Sequence, residues 1–324
     1  METYLLRQAH DLLLKAKHPL FISDERIDGD SLGSSLAVVD YLKRHGKDVK
    51  VYVKTPVPER YYLLPHIESC TDDLSVFDDT TIDLVATFDC SDGNYIEDLV
   101  KRIPKRPIVM NVDHHATNPF YGDMNLVQVG SPATAEVVYQ FFLANQITPS
   151  REAATCLLTG ICFDTTVFSN NGTNEHAFRA ASNLVLLGAR ISEVLRIIYQ
   201  NRSVSILRLW GVALERLRRH AGHGIVATFL TRRDFEEAGI QDYDEVDGLS
   251  DFLNIVINEH TVFVMRETKD GGIKVSMRSQ KYNVAALAKT FGGGGHVKAA
   301  GFTIPNTQFS DHKDLFQVVE FSNL

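Results

Sequence analysis

The sequence predicts an α/β protein in two parts: an N-terminal parallel sheet with helices on both faces, a connecting helix, and a smaller C-terminal α/β domain. Two patterns lead there. Short β-type runs alternate with helical periodicity through the first half, the arrangement of strand–helix–strand crossovers. After "AGHG" at 221–224 the pattern changes to strands separated by short helices. The boundaries expected are a first domain over 1–190, a helical linker over 191–220 and a second domain over 221–324.

Along the first domain, Leu5, Leu6, Ala9, Leu12, Leu13 and Ala16 recur at helical spacing and predict an amphipathic first helix. "PLFIS" (19–23) reads as a strand, "LGSSLAVVDYLKRHG" (32–46) as a helix ending at Gly46, and "DVKVYV" (48–53) as a second strand. "DLVATFD" (83–89) and "PIVMNVD" (107–113) are further strands around the short helix "YIEDLVKRI". Helices are expected over 132–146, 151–163, 175–189 and 191–220, the last ending in basic residues. In the second domain "IVATFL" (225–230), "TVFVMRE" (261–267) and "IKVSMR" (273–278) read as strands, with "DYDEVDGLSDFLNIV" and "NVAALAKTF" as helices between them.

Composition narrows the function. The 324 residues are 44% hydrophobic and 23% charged, as a globular protein requires. No apolar run approaches the ~18 residues needed to cross a bilayer, and the charged N-terminus has no secretory profile, so a cytoplasmic setting without a membrane partner is expected. Cys70, Cys90, Cys156 and Cys162 show no metal spacing and read as buried free thiols. A net charge of −8 argues against wrapping duplex DNA. A phosphate ligand stays open, because bound cations can supply positive charge locally.

The acids carry the chemistry. Three predicted strands run into carboxylates: "FIS" into Asp24, Asp28 and Asp30, "LVATF" into Asp89, and "IVMNV" into Asp113-His114-His115. The carboxyl ends of parallel strands line one ligand crevice, and Asp164 closes an apolar helix that can pack over it. Some pieces have plainer readings. Asp28-Gly29-Asp30 fits a tight turn, Asp89 fits a cap on a helix beginning near Gly93, and Asp164 is an ordinary helix-end acid. Paired histidines after a strand point to ligation by themselves. Together, crowded carboxylates repel unless cations neutralise them. Asp oxygens with a His nitrogen suit manganese, with magnesium, iron or cobalt as alternatives.

At these residues the chain resembles the DHH phosphoesterase superfamily over nearly its whole length. "IDGDSLGS", "TFDCSD", "NVDHH" and "TGICFDT" are similar to that family's four motifs. "SMRSQ" and "FGGGGHVKAAGF" resemble signatures of its C-terminal companion domain. The resemblance implies a phosphohydrolase using two divalent ions, with manganese favoured, and an active site between two domains. One ion would be held by Asp24, Asp28 and Asp89. The other would be held by Asp30, Asp89, His114 and Asp164, with Asp89 shared. His115 would stand behind the ligands or touch the substrate phosphate, and Asp113 would orient a histidine by accepting its second N–H. Asp24 stands where family members carry histidine; an oxygen donor there adds negative charge and weakens the preference for softer ions.

In the second domain, Arg278 can take phosphate through its planar fork, with Ser279 as a further donor. The run Gly293, Gly294, Gly295 beside His296 can bring backbone amides to an anion, like a nest. The resemblance implies hydrolysis of short oligoribonucleotides or dinucleotides (pApA, nanoRNA, cyclic-di-AMP), with pAp as another substrate, releasing nucleoside monophosphates. A homodimer is compatible with it. Two other readings stay open: an inorganic pyrophosphatase or polyphosphatase, and a catalytically silent nucleotide-binding protein, the latter motivated by Asp24.

Overall fold

The computed structural model describes residues 2–170, 172–199, 202–220 and 224–309, the side chains of Glu245 and His296 excepted. The chain divides into two compact units, Met1–Asn201 and Arg202–Leu324.

In the first unit, α1 (Thr3–Lys15) leads into β1 (Pro19–Ser23), α2 (Gly29–Arg44), β2 (Lys50–Tyr52) and a two-residue strand, β3 (Cys70–Thr71). Then follow β4 (Leu84–Phe88), α3 (Gly93–Val100), β5 (Ile108–Asp113), β6 (Met124–Val127), α4 (Thr134–Ala144), α5 (Arg151–Asp164), α6 (Glu175–Leu186) and α7 (Ile191–Tyr199). The sheet order is β3-β2-β1-β4-β5-β6, every pairing parallel. β1 and β4 are buried throughout, as central strands covered on both faces must be. Their side chains alternate between two cores. Phe21, Ala86 and Phe88 join α1, α2, α4 and α5, whereas Leu20, Ile22 and Val85 join α3.

The helix α2 starts three residues before the expected Leu32. Asp28 caps it, accepting the N–H groups of Asp30 (3.0 Å) and Ser31 (2.9 Å), while the Ser31 hydroxyl accepts the Asp28 N–H. Asp28-Gly29-Asp30 is therefore a cap and first helical turn, not a tight turn. Likewise Asp92, not Asp89, caps α3.

The second unit contains α8 (Val204–Glu215), β7 (Arg218–His220), β8 (Ile225–Leu230), α9 (Arg232–Ala238), α10 (Leu249–Val256), β9 (Thr261–Glu267), β10 (Gly272–Ser279), α11 (Val284–Thr290), β11 (Gly294–His296) and β12 (Ala299–Pro305). Its sheet, ordered β11-β12-β10-β9-β8-β7, is mixed: β8 and β9 are parallel and the other pairs antiparallel. Val262 and Val264 face α8 and α10, and Phe263 faces α11. The stretch 191–220, read from sequence as helical throughout, resolves into α7 within the first unit and α8 with β7 in the second. The basic end, Arg218 and Arg219, is an edge strand paired with β8. No helix among the described residues is long and apolar enough to cross a membrane. All four cysteines are free, with Cys90, Cys156 and Cys162 buried.

Candidate metal centre

Strand register builds the site. Ser23 pairs with Phe88, and Phe88 with Val112. The next residue on each of these three neighbouring strands is an aspartate: Asp24, Asp89 and Asp113. They stand in one row across the carboxyl edge, at the spacing of parallel strands. β1 is also where the chain order reverses direction through the sheet, the point at which open α/β sheets leave a crevice. From above that edge, α2 contributes Asp30 and α5 contributes Asp164.

The ligand-type atoms of Asp30, His114 and Asp164 lie within 4.8 Å of one another, as do those of Asp89, His114 and His115. His114 is the hinge of both groups. Its Nδ1 meets the Ser131 carbonyl at 3.1 Å; a carbonyl only accepts, so Nδ1 carries the proton. Nε2 is left buried with no hydrogen-bond partner, 3.0 Å from Asp164 Oδ2 and 3.6 Å from Asp89 Oδ1. Asp113 serves the other ring. It accepts His115 Nδ1 at 2.7 Å, both histidine backbone amides, and the Asn118 amide. Burial pushes the Asp113 carboxyl up, but these donors, His115 first, outweigh it and hold it below the ordinary range.

Asp30 is fully buried. Its Oδ2 accepts the N–H of Thr134 at 2.6 Å and its Oδ1 that of Ala135 at 2.8 Å, and the Ser34 hydroxyl donates to Oδ1 at 3.2 Å. The Thr134 hydroxyl donates to Asp89 Oδ1 at 2.8 Å. Asp89 itself sits at φ 62°, left-handed backbone that aspartate tolerates better than most residues.

Asp24 and Asp28 fall outside both converging groups. Each has one oxygen engaged locally: Asp24 Oδ1 accepts the Arg26 amide at 2.8 Å, and Asp28 Oδ1 caps α2. Asp24 also lies beside the Cys90 thiol and His115, and Asp28 beside Asp164, near enough for their charges to interact.

The residues fit divalent cations on two counts. One is the orphaned His114 nitrogen aimed among carboxylates. The other is the acids' own discomfort. Burial, then the charge of Asp164, pushes Asp28 up to about 6 and Asp30 up to about 8. Burial, then Asp30, raises Asp89 well above its ordinary value. The group lacks positive charge, which a divalent ion supplies.

In the second unit, Arg278 is bound to Asp251 through Nε (2.6 Å) and Nη2 (3.1 Å). The expectation for Ser279 needs correction. Ser279 is buried, its hydroxyl donates to the His260 carbonyl, and it accepts from the Lys281 and Tyr282 amides, so it organises a turn and has no O–H left for a ligand. The glycine run is not a nest either. Gly292, at φ 73°, and Gly293 donate to Lys289 and Ala288, ending α11 by a left-handed turn. Gly294 and Gly295 enter edge strand β11 against β12. The His296 side chain lies outside the described residues.

Sequence reading missed Thr134, Ala135, Ser131, Asn118 and Ser34, which hold the acids and histidines rather than ligate. The helix expected from Pro132 begins at Thr134 instead, with Ala133 at its cap position offering no side-chain acceptor, so its cap comes from elsewhere.

The fold and the site together define a parallel-sheet α/β protein whose switch-point crevice is lined by acids and histidines that could hold a metal ion, followed by a mixed-sheet domain. Residues 20–161 match the N-terminal domain of the DHH family, and residues 225–320 match the DHHA1 domain. The chain is 31% identical over 303 residues to the "Bifunctional oligoribonuclease and PAP phosphatase NrnA" of Thermus thermophilus, covering 92% of this chain and 88% of that one. Its identity to the Bacillus subtilis protein of the same name is 25% over 312 residues, covering 94% and 93%. An exopolyphosphatase-related protein from Bacteroides fragilis shares the fold, with a TM-score of 0.85 at 22% identity over 95% of this chain and 93% of that one. The chain belongs to the DHH family.

Proposed function

We propose that this protein is a manganese-dependent phosphodiesterase that cleaves very short oligoribonucleotides and dinucleotides such as pApA to nucleoside monophosphates, and that it also removes phosphate from pAp. The activity named for the Thermus relative supports this reading. The observation that carries it is the unpartnered His114 Nε2 among Asp30, Asp89 and Asp164.

Asp30, Asp89, His114 and Asp164 would hold one divalent ion, and Asp24 and Asp28 would join Asp89 at a second. Such ions, when bound, acidify water and neutralise charge building on phosphorus. The chain's own residues do the rest. Ser131 keeps the His114 proton on Nδ1, so Nε2 offers a lone pair. Thr134 steadies the Asp89 oxygen. Asp113 orients His115. His115, so held, would touch the substrate phosphate. In the net reaction water gives hydroxyl to phosphorus and a proton to the departing ribose oxygen. In the second unit, Arg278 would grip a substrate phosphate through its guanidinium. The reduced, largely buried cysteines support a cytoplasmic setting.

A substrate panel of pApA, longer RNA, pAp, cyclic-di-AMP and pyrophosphate, with purified protein and manganese, tests the proposal by product chromatography. Mononucleotide release from pApA is expected, and Asp89→Asn should abolish it. Turnover of pyrophosphate alone would replace the proposal with the pyrophosphatase reading.

A further inference from the structure

We propose that Asp251 is a positioning residue for the substrate phosphate, acting through Arg278; this rests on the reading above that Arg278 grips the substrate. A guanidinium has five N–H groups. Nε donates to Asp251 Oδ1 at 2.6 Å, Nη2 to Asp251 Oδ2 at 3.1 Å, and Nη1 to the Met277 carbonyl at 3.0 Å. One N–H then remains on each terminal nitrogen, the pair that takes two oxygens of a phosphate.

Both ends of this contact are fixed. Arg278 lies in β10 between Val262 of β9 and Ala299 of β12, so its backbone is held on both sides. Asp251 stands in the first turn of α10, where the helix field favours a carboxylate. The pair is partly exposed, its side chains 23% and 35% accessible, and ion pairs of that kind add little stability. Its consequence is orientation. A free arginine loses rotamer freedom when it binds phosphate, whereas a clamped one has lost it already.

The sign of one substitution separates orientation from charge. Removing the Asp251 charge strengthens the local positive field. If Arg278 worked as a point charge, Asp251→Asn would lower KM. A positioning role predicts the opposite.

The test is steady-state hydrolysis of pApA in manganese by wild type, Asp251→Asn, Asp251→Glu, Arg278→Ala and the Asp251→Asn/Arg278→Ala double variant. Asp251→Asn should raise KM about tenfold with kcat within about twofold, and Asp251→Glu should recover part of the loss. On the Arg278→Ala background, Asp251→Asn should change nothing further. If Arg278→Ala raises KM while Asp251→Asn leaves or lowers it, the positioning role is overturned. If Arg278→Ala leaves KM unchanged, the grip itself is overturned, and absent wild-type turnover overturns the reaction. Isosteric Asn keeps α10 intact, and an unchanged melting temperature confirms that the KM effect is local.

Discussion

The carboxylate of Asp30 caps a helix that begins 104 residues later: its Oδ2 accepts the backbone N–H of Thr134 at 2.6 Å. Ala133 offers α4 no side-chain cap, so the acid that faces the candidate metal also closes the helix behind it. Thr134 returns the connection by donating its hydroxyl to Asp89. Thr134→Val keeps the shape and the Asp30 bond but removes that donor. Groups that orient metal ligands contribute about 10- to 100-fold to affinity or activity. Manganese titration by calorimetry should therefore show weaker binding of that order, with the fold intact. Unaltered affinity would mean that Asp89 needs no support.

A Cβ at Gly160 would lie 2.5 Å from Asp30 Oδ1 and 2.6 Å from the Ala135 Cβ. Gly160→Ala must push α5, and with it Asp164, away from α2 and α4. A loss of about 1–3 kcal/mol in stability is expected from such overpacking, and turnover should fall much further than stability. Gly211 in α8 is the control, because a Cβ there meets nothing. Gly211→Ala should raise the melting temperature, since alanine suits a helix interior better by about 0.5–1 kcal/mol. Thermal melts alongside turnover assays decide both.

Much of this was legible in the sequence. β1, β8 and β9 match their apolar runs to the residue, because buried strands in a covered sheet are uninterrupted apolar segments. The acids at strand ends could be read for the same reason. What sequence could not convey is long-range or backbone-specific. No local pattern reveals that Asp30 meets Thr134. Nothing in "DTTVF" announces that Thr166, Val167 and Phe168 all take positive φ after Asp164, a turn held by Asn170 on the Asp164 carbonyl. The glycine run misled because its composition suits an anion nest and a helix stop followed by a strand alike.

Metal-free protein should lose stability as pH rises. Asp28 and Asp30 are raised to about 6 and about 8, by burial first and then by Asp164. His114 reaches about 10: burial opposes this, but Asp164 and Asp30 prevail. Each group binds its proton more tightly folded than unfolded. That stability is therefore present below the unfolded values and is lost as pH climbs through the folded ones. Asp113, held low, acts the other way only at the acid end. Melting temperatures in chelator should fall from about pH 5 to about pH 8. Saturating manganese should flatten the fall, because the cation replaces the protons. A rise with pH in chelator would contradict the crowding of uncompensated acids.

Asp24 gives the sharpest test of the donor set. It follows β1 in the same row as Asp89 and Asp113, its Oδ1 is folded back onto the Arg26 amide, and the Cys90 thiol lies beside it. Burial raises its carboxyl above the ordinary value, so its charge is held there at some electrostatic cost. Asp24→His exchanges a hard oxygen for a nitrogen and removes a negative charge. If Asp24 ligates, the order of activity among magnesium, manganese and cobalt should shift toward cobalt and manganese, because imidazole suits those ions better. If Asp24 only closes the turn at Arg26, the metal order should stay as in the wild type while the protein melts earlier. Activity measured across the three ions at matched concentrations separates the two, and an unchanged order would remove Asp24 from the metal centre.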